Sequence, residues 1–227
     1  FRHGAAPEPV GLWRWARQNA SALLFIAISM VFAVLAFRPF ELILGPRDAA
    51  VYPATGVQIA LHGSILIDDE IIPTLLQSTD DETHRTLLQF LGIQHPGRFY
   101  YHYLRMPGFF VAGNEEGVWI PQPLPATDGR VVVPQFYHLY PAWLAIAFSL
   151  VGIRAGLLMT PYLSFLGGVG IFLVVRRLLG PRAALLSYLF LAVQTLQVWF
   201  ARYSTAEGAT QFLFFLGLYG LARLDED

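Results

Sequence analysis

The 227-residue chain contains no cysteine. Disulfides, cysteine-ligated zinc and a thiol nucleophile are thereby excluded. Lysine is absent as well, so all 15 strongly basic side chains are arginines, and neither a lysine Schiff base nor a lysine nucleophile can form. Charge of either sign is scarce. Asp, Glu, Lys and Arg supply 14% of the residues, against about 25% in an ordinary soluble domain. A net charge of -1 does not point to a nucleic-acid partner. The metalloprotease, nucleophile-elbow, P-loop and dinucleotide-binding signatures are all missing. There is no internal repeat and no low-complexity segment.

Apolar residues are abundant, at 55% of the chain with a mean hydropathy of +0.49. Such a composition belongs to a membrane protein. Residues 20–37, "ASALLFIAISMVFAVLAF", carry no charge. As a helix they rise about 27 Å, close to the hydrocarbon thickness of a bilayer. A cleaved signal peptide is the competing reading, against which stand the length of the run and the lack of a clean A-x-A site. Further spans are expected at 155–175, 183–200 and 208–222. In the second, Gly156, Gly167, Gly168 and Gly170 suggest close helix packing.

Arginine placement sets an expected orientation. Trp13, Arg14, Trp15 and Arg17 precede the first span, and Arg176, Arg177 and Arg182 flank the link "RRLLGPR". Both places should be cytoplasmic. An even number of crossings must then separate them, so the apolar stretch 139–153, "LYPAWLAIAFSLVGI", should not cross. At roughly 22 Å as a helix it is short for a span, and it reads as an interfacial or re-entrant helix. Residues 1–19 are then cytoplasmic, 38–153 form an outer loop, and "FARYSTAEG" is also outside. Residues 68–94 read as polar helical pieces. The runs "FFVAGNEEGVWIPQ" and "LPATDGRVVVPQF" read as a small β-hairpin or three-stranded element. The expected class is an all-α polytopic membrane protein with about four transmembrane helices, two juxtamembrane helices and a long outer loop carrying a small β-hairpin. A first residue other than Met, and an apolar run followed at once by "RLDED", suggest an N-terminal part of a longer protein, with 224–227 opening a cytoplasmic link.

Chemistry is sought among the polar residues beside the spans. Asp48 follows the first span closely, ahead of "AAVYPATGVQIALHG". It could cap a helix, but Pro53 should kink or interrupt that turn, which moves the expected helix start towards Tyr52. Ala54, Val57 and Leu61 would then line one face of a short surface helix, and Asp48 would sit at a cavity rim. In "WFARYSTAEGATQF", Arg202, Tyr203 and Glu207 stand at one outer junction and suit an anionic ligand and a proton acceptor. Glu207 also suits a helix dipole, and Arg202 could simply snorkel to the interface. His138 opens the interfacial helix, as an ordinary interface histidine or as a phosphate contact or proton relay. The acidic runs at Asp68, Asp69 and Glu70 and at 80–84 are weaker candidates, because adjacent carboxylates point apart.

The order of these segments resembles a known family. The carrying motifs are "D-x-x-x-Y…A-L-x-x-G", "H-L-Y-P-A-W-L-A-I…L-V-G", "V-V-R-R-L-L-G-P-R-A-A-L-L" and "W-F-A-R-Y-S-T-A-E…Q-F-L-F-F-L-G-L-Y". In that order and spacing they resemble the N-terminal half of GT-C superfamily glycosyltransferases, of the protein O-mannosyltransferase and lipid A aminoarabinose transferase type. The resemblance covers residues 20–223. It implies sugar transfer from a polyprenyl-phosphate donor to a protein, lipid or glycan acceptor on the extracytoplasmic face. It implies two juxtamembrane helices, matching 49–62 and 137–152, and places the family's first-loop carboxylate on Asp48. Many members have an acidic pair there, suited to a divalent metal, whereas here Arg47 and Ala49 flank Asp48. Tyr52, His138, Arg202, Tyr203 and Glu207 fall on positions that would bind donor phosphate or substrate. Two other classes fit the composition, a polytopic transporter and a non-enzymatic envelope assembly protein. A transporter would place its charges near the bilayer midplane, whereas here they cluster at the span ends.

Overall fold

The structure is a computed structural model, described for residues 18–41, 48–68, 109–111, 131–134 and 136–224. It is predominantly helical, with one small sheet. In chain order the elements are α1 (Ala20–Ala36), α2 (Asp48–His62), β1 (Ile67–Asp68), β2 (Phe109–Val111), β3 (Val131–Pro134), α3 (Leu139–Val151), α4 (Ile153–Gly156), α5 (Met159–Leu179), α6 (Pro181–Val193), α7 (Thr195–Arg202) and α8 (Glu207–Leu221). They divide into two compact units. One comprises Phe1–Arg38, Pro161–Ala201 and Glu207–Asp227, and the other comprises Pro39–Thr160 and Arg202–Ala206.

The first unit is a bundle built on aromatic packing. Its core is Ile28, Phe32 and Ala36 of α1, Phe172 of α5, and Ala184, Tyr188 and Ala192 of α6, closed by Ala201. Phe25 lies against Phe172 and Tyr188, and Phe32 against Phe165. Phe37 also reaches Phe165. Numbers therefore rise along α1 as they fall along α5, so these two helices are antiparallel. Gly168 faces Tyr188 and Leu191, which makes α5 and α6 an antiparallel hairpin. The hairpin turns at Gly180, whose φ of 88° is a left-handed value that favours glycine, and Pro181 opens α6 at N1. Between α5 and α8 the contacts are Ser164 with Gly208, Gly167 with Gln211 and Gly170 with Phe215, all rising together, so α8 runs parallel to α5. Small residues let these backbones approach closely, as the glycine pattern suggests. The hydroxyl groups of Ser29 and Tyr188 are hydrogen-bonded at 3.2 Å.

Among the described residues, membrane-length helices are fewer than expected. The segment Ile153–Leu179, 27 residues, is long and apolar enough to cross a membrane. It covers the expected span 155–175 and extends it at both ends. The expected span 183–200 is two helices, α6 and α7, bent by 62° at Gln194. Helix α1, at 17 residues, stands at the lower limit of spanning length, and α8, at 15, falls short of it. The stretch 139–153 ends as a helix at Val151, where Gly152 takes a φ of 81°; its 13 residues are too few to cross, as expected.

In the second unit α2 is continuous from Asp48 through Pro53, correcting the later start expected near Tyr52. Proline there removes a single intrahelical N–H donor. Burial of Ala49, Ala50, Val51, Pro53, Thr55 and Gly56 offsets that loss. The buried side also differs from the one expected. Leu61 is exposed, whereas Thr55 is buried and its hydroxyl donates to the Val51 carbonyl at 2.7 Å. The sheet has strand order β1-β3-β2 and is antiparallel throughout, with Ile67 opposite Val132 and Phe110 opposite Val133. Asp68 thus ends a strand, where a polar helix was expected. The turn regions of the expected hairpin, the helical pieces over 69–94, Asp69 and the acidic run at 80–84 lie outside the described residues.

Candidate functional site

The site begins with the α2–α3 pair. Tyr52 packs against Phe136, ring centroids 5.2 Å apart, and meets Tyr140 edge-on at 5.5 Å. One turn further along α2, Gly56 lies against Pro141, Leu144 and Phe148. Numbers rise together along both helices, so the pair is parallel. Its two N-termini consequently share one end. Asp48 is the first residue of α2, and His138 is the N-cap of α3. Two residues that are 90 apart in sequence are thereby brought to the same end of one helix pair.

Electrostatics favours an anion at that end. Parallel helices add their dipoles, each leaving partial positive charge on free N–H groups at its N-terminus. His138 supplies no side-chain cap to α3. Its Nδ1 is shut away from solvent with no hydrogen-bond partner, and burial of the ring lowers its pKa from the ordinary 6.5. The imidazole is therefore neutral at pH 7 and offers a hydrogen bond or a proton relay more readily than a counter-charge. Asp48 is exposed.

The pair is tied down by Tyr140. This ring is buried, and its hydroxyl is hydrogen-bonded to the buried Thr160 Oγ1, the second residue of α5. The exposed pair in which Arg154 Nε donates to Glu41 Oε1 at 2.9 Å lies in the same unit and contributes little.

Arg202 and Tyr203 gather around Phe40. The Arg202 guanidinium lies 4.6 Å over the Phe40 ring, and the Tyr203 ring meets it edge-on at 6.2 Å. The Phe40 N–H donates to the Arg202 carbonyl at 2.8 Å. Residues 39–41 and 202–203 belong to the same unit as Asp48, Tyr52 and His138. Glu207 does not. It is the exposed first residue of α8, in the other unit, where it suits the helix dipole. Sequence reasoning does not single out Phe40, Tyr140 or Thr160. Their roles come from tertiary contacts that no local pattern encodes. Among the described residues no group of three or more His, Asp or Glu side chains could hold a metal ion.

Burial of His138 has a consequence for stability. The unfolded chain binds this proton more tightly than the folded one, so stability falls as pH drops below about 6.5. Replacing His138 by Gln should flatten this part of a melting-temperature profile between about pH 7.5 and 5, and an unchanged slope would assign it to other groups. No protein-family model matches the chain, and neither a curated protein nor a solved structure matches it.

Proposed function

We propose that the chain is a membrane glycosyltransferase of the GT-C kind, moving a sugar from a polyprenyl-phosphate donor to an extracytoplasmic acceptor with inversion. The observation carrying this reading is the parallel α2–α3 pair, which sets Asp48 and His138 at one dipole-positive end. The helix directions in the first unit agree with it. Helices α1 and α6 run one way and α5 and α8 the other, the alternation that successive membrane crossings need.

The chemistry follows from the residue types. An acceptor oxygen attacks the sugar C1 as the bond from C1 to the phosphate oxygen breaks. Asp48 takes the acceptor's proton as general base, and the electron pair leaves on the polyprenyl phosphate. Arg202, with its planar fork of donors, binds the departing phosphate, and His138 and Tyr203 add neutral hydrogen bonds. Tyr52 borders the site one turn beyond Asp48. Glu207, at the start of α8, is a further substrate-binding candidate.

The test is a panel of polyprenyl-phosphate sugars presented to native membranes containing the full chain, with and without acceptor extract. Release of polyprenyl phosphate from at least one donor, absent from membranes lacking the protein, is the expected result. Verified expression with no donor consumed across the panel would overturn the reading.

A further inference from the structure

Charge in the first unit is gathered at one end. Among its described residues there are five arginines and a single carboxylate, Glu207. Arg176 and Arg177 lie in the last turn of α5, Arg182 in the first turn of α6, and Arg223 just past α8. Helix α6 runs antiparallel to α5 and α8 runs parallel to it, so these four arginines come to the same end of the bundle. A direct contact ties that end together: Arg177 Nε donates to the Ala222 carbonyl, past the end of α8, at 2.5 Å. All four residues are exposed. Glu207 opens α8 and Arg38 stands just past α1, so these two opposite charges share the other end. In the sequence Arg14 and Arg17 precede α1, and Asp225, Glu226 and Asp227 follow α8, which leaves six arginines against three carboxylates next to these helix ends.

Helix dipoles account for part of this. Arg176, Arg177 and Arg223 stand at helix C-termini, which favour cations. Arg182 stands at the wrong end for that. Helix α6 begins at Pro181 with no acidic residue in its first turn, and a helix start disfavours positive charge. An anion from outside the helix would compensate it. The apolar neighbours indicate which kind. Leu178 and Leu179, next to the α5 arginines, are 67% and 74% exposed, and Leu221 and Leu224, either side of Arg223, are 63% and 67% exposed. A soluble phosphate or a nucleic acid would leave these leucines in water. A phospholipid matches both kinds of group, its phosphate accepting from the guanidinium forks and its acyl chains covering the leucines. Resting on the membrane reading above, we propose that this end of the bundle is a docking surface for anionic phospholipid headgroups, with Arg182 and Arg176 as phosphate contacts across the Gly180 turn.

Fluorescent phosphatidylglycerol and phosphatidylcholine, matched in their acyl chains, test this on the full chain in detergent, with polarisation reading each affinity. The anionic lipid should bind about 25-fold or more tightly than the zwitterionic one. Arg182→Gln should weaken phosphatidylglycerol about fivefold, and Arg176→Gln with Arg182→Gln about 25-fold, the worth of one and two basic residues at an anionic surface. Phosphatidylcholine binding should not change. Arg38→Gln, at the opposite end, is the control and should leave both affinities as they are. All three positions are exposed, and circular dichroism verifies that each variant is folded. Equal affinity for the two lipids would overturn the proposal, as would a loss for Arg38→Gln as large as that for Arg182→Gln. Displacement of the lipid by millimolar inorganic phosphate would assign the arginines to a soluble anion and overturn the lipid surface. Donor consumption is read on the same preparation. Its absence would overturn the transferase reading and leave a lipid preference standing, whereas consumption without a lipid preference would overturn the docking surface alone.

Discussion

Asp48→Asn is expected to lower the rate of sugar transfer by about 100- to 10,000-fold, the range a positioned general base supplies. The substitution keeps the size of the side chain and removes its basicity. Its structural cost is small. Asp48 is exposed in the first turn of α2, where its charge favours the helix dipole by about 0.3–1 kcal/mol. Asparagine is also a residue that helix starts accept. The rate loss is therefore expected without a matching loss of expression or of melting temperature. Initial rates of polyprenyl-phosphate release, normalised to protein amount, make the measurement. Asp48→Glu should retain more activity than Asp48→Asn, because the carboxylate survives but is displaced by one methylene. A rate within twofold of the native chain for Asp48→Asn would remove Asp48 from the chemistry and return it to the role of a favourable charge at a helix start.

The apolar runs make much of the helical framework legible. The expected helix at 20–37 is observed as Ala20–Ala36, and the apolar stretch 139–153 as Leu139–Val151 followed by a glycine at positive φ. Hydropathy finds such elements because continuous apolar length is a property of the local sequence. The differences arise where tertiary contacts decide. Nothing local marks the break at Gln194; the hydrogen bond that accompanies it joins residues 197 and 211. Pro53 argues for a helix start near Tyr52, yet packing around Ala49, Val51 and Gly56 keeps α2 intact from Asp48. The buried face of α2 departs from the expected one for the same reason, since its centre is a glycine, a residue that hydrophobic periodicity cannot weight. For the site, Asp48, Tyr52 and His138 can be named from the chain. Their meeting at one end cannot, because the relative direction of two helices is set by the contacts between them. Phe40, which gathers Arg202 and Tyr203, gives no signal beyond being an aromatic residue past the first apolar run.

Gly56→Leu is expected to destabilise the fold more than any of the other substitutions named above, because it acts on the seam that creates the site. A Cβ at Gly56 would stand 3.0 Å from Leu144 Cβ, 3.0 Å from Phe148 Cε2 and 3.2 Å from the Pro141 carbonyl oxygen. Leu144 and Phe148 are buried, and the carbonyl is backbone, so none of the three is a loose chain end able to swing aside. Gly56→Ala meets that obstruction with a single methyl, at an overpacking cost of about 1–3 kcal/mol. Its better helix propensity returns up to about 1 kcal/mol. Leucine gains a similar propensity benefit but adds three more carbons to the same point, and α2 and α3 must separate to admit them. Separation uncovers Val51 and Leu144 and pulls Tyr52 off Tyr140. A loss of about 3 kcal/mol or more corresponds to a melting temperature lower by roughly 6–12 °C for a chain of this size. Gly217→Leu is the matched control. Nothing lies within 4 Å of a Cβ at Gly217, and the same bulk is added there to an open helix face. Thermal melts of both variants in the same detergent make the comparison, and equal melting temperatures would show that the α2–α3 seam tolerates bulk. The two effects on transfer should also part company. Gly217→Leu leaves Asp48 and His138 where they are, while Gly56→Leu removes the contact that brings them to one end, so its transfer rate should fall even below its melting transition.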